Sequence, residues 1–213
     1  MSTQDVTGAD LFAPLRGSGN PGKEPTAERT SDAARSGVGG VLPPVLDVCC
    51  GCRMFWYDKA DVRALYMDKR RETFVQVRTD CGNKTKSVNP DILADFTNIP
   101  FPDNSFHLVV FDPPHVIRKE AKGSITMHYG HLTGNWKEML RKGFRECFRV
   151  LKPNGTLIFK WSEIEIPLRD VLAMTPERPL FGHRVGRREL SHWCAFLKGG
   201  GGAEQGADVI ERE

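Results

Sequence analysis

The residues best suited to chemistry are Asp112-Pro113-Pro114-His115, which directly follow Phe106 to Phe111, a run that is apolar except for His107. Two prolines after a strand cannot extend its hydrogen-bond ladder, so the chain must leave the sheet there with its carbonyls unpaired and rigidly aimed. A carboxylate (Asp112) and a fixed carbonyl (Pro113) beside a planar side chain (His115) can hold an amino group and orient its lone pair toward an electrophile. Gly51 follows another apolar run and lets the backbone approach a ligand where any side chain would intrude. Asp68 lies 17 residues further on. There a carboxylate can accept hydrogen bonds from both hydroxyls of a ribose, or it can cap a helix or pair with Lys69, Arg70 or Arg71. Cys49-Cys50-Gly51-Cys52 lacks the spaced pairs of a zinc site and no second Cys/His cluster follows, so no metal is expected.

Three further groups carry open readings. Met54-Phe55-Trp56-Tyr57, after the glycine turn, either walls a pocket or belongs to the core. His183, Arg184, Arg187 and Arg188, with Arg118, Lys119 and Lys122, form either a basic rim for phosphates or a solvated face. The polar stretch from Arg118 to Gly134, with Gly123, His128, Gly130 and His131, reads as a mobile lid.

These residues need a scaffold of alternating strands and helices. Val45 to Cys49, Ala64 to Met67, Asp91 to Ala94, Phe106 to Phe111, Thr156 to Trp161 and Trp193 to Leu197 read as strands. From Asn135 to Leu151 the apolar residues Trp136, Met139, Leu140, Phe144, Cys147, Phe148 and Leu151 recur at three and four, which predicts a helix ended by Pro153-Asn154-Gly155. The alternation implies an α/β fold with a mostly parallel central sheet flanked by helices.

Composition sets the frame. With 213 residues, 39% of them hydrophobic and 27% charged, the chain suits one globular domain with tails. No run approaches the roughly 18 apolar residues of a membrane span, so no membrane partner is expected. Residues 1–43 are rich in Gly, Pro, Ser, Thr and Ala and read as a disordered arm, and 199–213 as a flexible tail, leaving 44–198 to fold. The N-terminus has no secretory pattern, so a cytoplasmic location with reduced cysteines is expected. A net charge of +3 is compatible with nucleic acid but does not argue for it.

Taken in order, these pieces resemble the class I S-adenosyl-L-methionine-dependent methyltransferases, and more narrowly small phage and prophage methyltransferase-like proteins. The resemblance rests on Val45-Leu46-Asp47-Val48-Cys49-Cys50-Gly51, Asp68, Asp95, Ile99-Pro100-Phe101-Pro102-Asp103-Asn104-Ser105-Phe106, Phe111-Asp112-Pro113-Pro114-His115 and Phe148 to Gly155. It implies a Rossmann-like fold over nearly all of 44–198 and S-adenosyl-L-methionine as cofactor. Asp47 would then help hold the cofactor's ammonium end, with Cys49 and Gly51 at the methionine part. Asp68 would take the ribose, Asp95, which otherwise reads as a simple turn acid, the adenine amino group, and Phe96 the adenine ring, with Asp112 completing the site. The Asp-Pro-Pro turn resembles that of enzymes methylating exocyclic or amide nitrogens, with adenine N6 of DNA favoured over RNA. His115 stands where Tyr, Phe or Trp is usual, and Cys49, Gly51 and Arg53 stand where many members have three glycines. The same turn also suits guanine in RNA or a protein amide. Other readings are a cofactor-binding phage protein that inhibits a host enzyme, and a non-enzymatic nucleic-acid binder. No target-recognition domain is evident, so the expectation is low specificity, a short target, or a partner protein that supplies recognition.

Overall fold

The computed structural model describes residues 41–76, 82–117, 130–132, 134–185 and 190–199. Most of the proposed arm (1–40), the end of the tail (200–213), most of the proposed lid (118–129 and 133), and Arg118, Lys119, Lys122, Arg187 and Arg188 of the proposed rim lie outside them.

Seven strands form the main sheet: β1 Val45–Asp47, β2 Ala64–Asp68, β5 Ile92–Leu93, β6 Phe106–Phe111, β7 Leu151–Ser162, β8 Phe181–Val185 and β9 Ser191–Leu197. Their order is β5-β2-β1-β6-β7-β9-β8. The first five run parallel, and β9 pairs antiparallel with both β7 and β8. This is the expected Rossmann-like α/β arrangement. Chain direction reverses its sideways progress between β1 and β6, the switch point at which such sheets open a crevice beyond their carboxyl ends.

Right-handed crossovers leaving the centre in opposite directions must run over opposite faces of the sheet. One face is covered by helix α1, Trp136–Val150, which starts at Asn135, whose side chain accepts from the Glu138 N–H at 3.3 Å. Its Phe144 lies against Phe111, Phe159 and Phe196, and its buried Leu140, Cys147 and Phe148 extend the core. A short helix, α2 Leu168–Leu172, inserts Val171 into the same core.

The helical cover is less even than the sequence implies. Between β1 and β2 residues 48–63 form turns, because Asp58 and Asp61 accept from the Ala60 and Arg63 N–H groups, a local bonding that competes with helix. Between β2 and β5 stands an antiparallel hairpin, β3 Glu72–Gln76 and β4 Lys84–Val88, which forms its own two-stranded sheet. Strand β7 starts at Leu151 directly after α1, and its pairing with β6 shifts register across residues 152–155, so Pro153-Asn154-Gly155 is an irregularity inside the strand rather than a turn before it. Among the described residues no helix is long and apolar enough to cross a membrane.

Candidate functional site

Three parallel strands end in buried carboxylates: Asp47 on β1 is 0% exposed, Asp68 on β2 6%, and Asp112, immediately after β6, 1%. The register sets Asp47 beside Tyr66 on one side and Val110 on the other, so these acids form a row across the switch point. Each buried charge needs partners. Asp47 accepts from Trp56 Nε1 at 2.7 Å and from the Cys49 N–H at 3.3 Å. Burial nevertheless pushes its carboxyl up to about 7, against those two hydrogen bonds and with smaller contributions from Asp112 and Asp68.

Asp68 binds the glycine turn to the second strand. Its Oδ2 accepts from the Gly51 N–H at 3.0 Å and its Oδ1 from the Arg70 N–H at 2.9 Å, with Arg70 Nε at 3.4 Å. Gly51 has φ 49°, a left-handed conformation that explains a glycine here. Arg53 sits at φ 51° without being glycine. Its guanidinium stacks on Tyr66, 3.6 Å from the ring centroid, and donates to the Asn89 carbonyl at 2.9 Å, contacts that offset the backbone cost.

Asp112 is tied to a residue that sequence reasoning missed. Lys160, near the carboxyl end of β7, places Nζ 2.8 Å from Asp112 Oδ2, with the Phe55 and Trp193 ring centroids at 5.9 and 5.8 Å. The signal was available: a lysine within the apolar run Thr156 to Trp161 is out of pattern for a buried strand. Phe55 and Trp193 meet edge to face at 5.4 Å, and Trp56 stacks edge-on against Tyr66 at 4.9 Å. The aromatics after the glycine turn thus cover the face of the sheet opposite α1, except Tyr57, which is fully exposed.

His115 is 4% exposed, with Nε2 3.2 Å from Asp112 Oδ1 and its ring edge-on to Trp161 at 5.1 Å. In this conformation it points inward and offers no free face for stacking. Pro113 and Pro114 are buried as well. Asp95 closes a local turn, accepting from Thr97 N–H and Oγ1, both at 2.9 Å. Phe96 is buried under α1 against Phe111, 5.4 Å between ring centroids.

Val48, Cys49, Asp68, Arg70, Phe96 and Pro114 meet around one small, partly open space of ≈ 10 Å³. The structure therefore brings together Cys49, Asp68, Phe96 and the Pro-Pro turn in one crevice, with Asp47 and Asp112 along its row of acids and Asp95 beside Phe96 in the chain. Burial raises the Cys49 thiol well above its ordinary range, so it lines the crevice as a neutral group. Among the described residues no group of three His, Cys, Asp or Glu side chains is arranged to hold a metal ion.

No protein-family model matches this sequence and no curated protein matches it. Among solved structures, the chain is similar to the PH0226 protein of Pyrococcus horikoshii, with TM-score 0.44 and 16% identity over 72% of this chain and 81% of that one. It is also similar to a SAM-dependent methyltransferase of Leishmania major, with TM-score 0.43 and 13% identity over 72% of this chain and 63% of that one. A third is the 1,6-didemethyltoxoflavin-N1-methyltransferase of Burkholderia thailandensis, solved with bound S-adenosylhomocysteine, with TM-score 0.42 and 12% identity over 73% of this chain and 70% of that one. Each score is below 0.5 and each identity below 25%, so the roles assigned to residues rest on this chain's own geometry.

Proposed function

We propose that the chain is a class I S-adenosyl-L-methionine-dependent methyltransferase acting on an amino nitrogen, with the exocyclic amino group of a nucleic-acid base as target and adenine N6 of DNA first. The observation that carries the reading is the row of buried acids Asp47, Asp68 and Asp112 across the switch point, with Gly51 bonded into it. Buried carboxylates are costly unless something cationic or hydrogen-bonding meets them. An amino acid's ammonium group suits Asp47, a ribose diol suits Asp68, and a target amino group suits Asp112. This donor set fits the cofactor, whereas the ≈ 10 Å³ space does not. On this reading Arg70 leaves Asp68 Oδ1 when the nucleoside enters, while the Gly51 N–H stays on Oδ2.

When bound, the cofactor supplies an electrophilic methyl group. The protein's part is to hold and orient the nucleophile. Asp112 accepts a hydrogen bond from the target amino group, aided by the Pro113 carbonyl. Lys160 keeps a cation beside Asp112 and holds its carboxylate in place. Cys49 and Gly51 border the methionine part, while Asp95 and Phe96 serve the adenine. His115 reaches a base only if the turn opens outward. Until then it supports Asp112. Recognition beyond the base itself falls to a basic surface of the chain or to a partner protein.

One observation favours a second reading, a cofactor-binding protein without transfer: Lys160 and His115 already meet both oxygens of Asp112. Incubation with methyl-labelled cofactor and DNA, transfer RNA and protein fractions distinguishes the two. Label recovered as N6-methyladenine, reduced about a hundredfold in Asp112→Asn, is the expected result, given the roughly 3 kcal/mol one oriented polar contact supplies. Label in guanine or protein moves the target. Undiminished transfer by Asp112→Asn contradicts the role of Asp112, and cofactor binding without any transfer supports the second reading.

A further inference from the structure

An open cleft of ≈ 520 Å³ lies between the turn after β1 and the β3–β4 hairpin, next to Gly51 but outside the row of acids. Among the described residues four basic side chains line it, Arg53, Lys59, Lys84 and Lys86, and one carboxylate, Asp91, which pairs with Arg53 at 3.4 Å. Arg53 is further held by the Asn89 carbonyl and the Tyr66 ring, so it is a structural part of the cleft wall.

That leaves Lys59, Lys84 and Lys86 facing one concavity with no ion pair among the described residues. Lys59 and Lys84 are exposed and Lys86 half-buried. On β4 the residues Lys84 and Lys86 are two apart, hence on one face, and separated by about 6.7 Å along the strand. Successive phosphates of an extended nucleic-acid strand can match that spacing. Lys59 comes from the opposite wall, so the charges bracket the cleft rather than forming a flat surface. Their field reaches inward, since Lys86 and Lys59 both favour the thiolate of buried Cys52 against the stronger effect of burial. Among the described residues the one carboxylate of the cleft, Asp91, is engaged by Arg53, so the three lysines repel one another, a cost recovered when an anion neutralises them.

We infer that this cleft binds the phosphodiester backbone of a single nucleic-acid strand through Lys59, Lys84 and Lys86. Three separated cations along an open channel suit a chain of phosphates better than one compact anion. The site differs from the basic rim that the sequence suggests: of that rim, only His183 and Arg184 are described, and they lie on β8 at the far edge of the sheet. The inference rests on the transferase reading only in treating the bound strand as substrate. The binding itself follows from the cleft.

The test uses the full chain without cofactor and a fluorescein-labelled single-stranded 20-mer, with affinity measured across a salt series. The logarithm of affinity should fall linearly with that of salt. The triple variant Lys59→Gln, Lys84→Gln, Lys86→Gln should bind at least about tenfold more weakly at low salt, with a slope shallower by about 2, since each neutralised phosphate on a single strand contributes roughly 0.7. An unchanged melting temperature would show that the variant is folded. Unchanged affinity and slope would overturn the inference. So would competition by tripolyphosphate as effective, per phosphate, as unlabelled strand, which would make this a site for small anions. Cofactor binding by the triple variant stays intact if the transferase reading holds, so failure of one is distinguishable from failure of the other.

Discussion

Folding changes the chemistry of Asp47. Its carboxyl, at 3.8 ordinarily, is pushed up to about 7 chiefly by burial, so between those values the folded chain keeps a proton that the unfolded chain releases. The stability this contributes is fully present below about pH 4 and is lost as pH rises through 7. By then the folded state carries a buried anion at a cost on the order of 4 kcal/mol, since each pKa unit is worth about 1.4 kcal/mol. Asp47→Asn should therefore be more stable than the parent at pH 8, with the advantage vanishing toward pH 4. Urea unfolding at pH 4, 6 and 8 measures this, and a pH-independent difference would contradict it. The same scale shows what was legible. Asp112, Asp68 and Gly51 stand out by residue type and position. Their partners are legible unevenly: Arg70, two residues from Asp68, is among the pairings the sequence offers, whereas Trp56 and Lys160 reach Asp47 and Asp112 across turns and strands that one-dimensional spacing does not relate.

At the scale of elements, two stretches that resemble family motifs turn out to serve each other. Arg149, near the end of α1, donates to the Ile99 and Phe101 carbonyls at 2.8 Å each and to Asp103 and Glu146, while Glu146 accepts from the Ile99 N–H at 2.8 Å. Ile99 to Asp103 is thereby fastened to the helix, which sets the course of the chain from β5 into β6 and so the position of the Asp-Pro-Pro turn. Gly143 determines how close that helix comes. A Cβ there would lie 2.7 Å from Phe96 Cδ2 and 2.8 Å from Phe111 Cζ. Gly143→Ala gains about 1 kcal/mol of helix propensity yet should still destabilise the fold by about 1 to 2 kcal/mol net, because two core rings must shift. Denaturant unfolding tests it, and a stabilised variant would mean that the helix can lift off the sheet at no cost. The helix and β6 are plain in the sequence because their periodicities are strong: Asn135 to Leu151 against α1 at Trp136–Val150, and Phe106 to Phe111 matched residue for residue. The β3–β4 hairpin and β8 are missed because their strands are largely exposed, with Glu72 to Gln76 and Lys84 to Val88 carrying few apolar residues to reveal a period.

For the molecule as a whole, the parallel half of the sheet follows from the order of apolar runs, whereas the uneven cover of its two faces does not. Turns and aromatic side chains take the place of a helix over β1 and β2, and they carry Trp56 to Asp47 and Phe55 to Lys160. Covering the sheet and holding the acids are thus done by the same segment. Under the proposed function, the row of acids holds S-adenosyl-L-methionine. Titration calorimetry of the full chain with S-adenosylhomocysteine, near pH 7 and in two buffers of different ionisation enthalpy, tests it most directly. The expected result is saturable binding with proton release, because an ammonium group beside Asp47 favours its ionised form, and weakening by about 1 to 3 kcal/mol in Asp68→Ala. No saturable heat at millimolar ligand, or binding that neither releases a proton nor responds to Asp68→Ala, would contradict it.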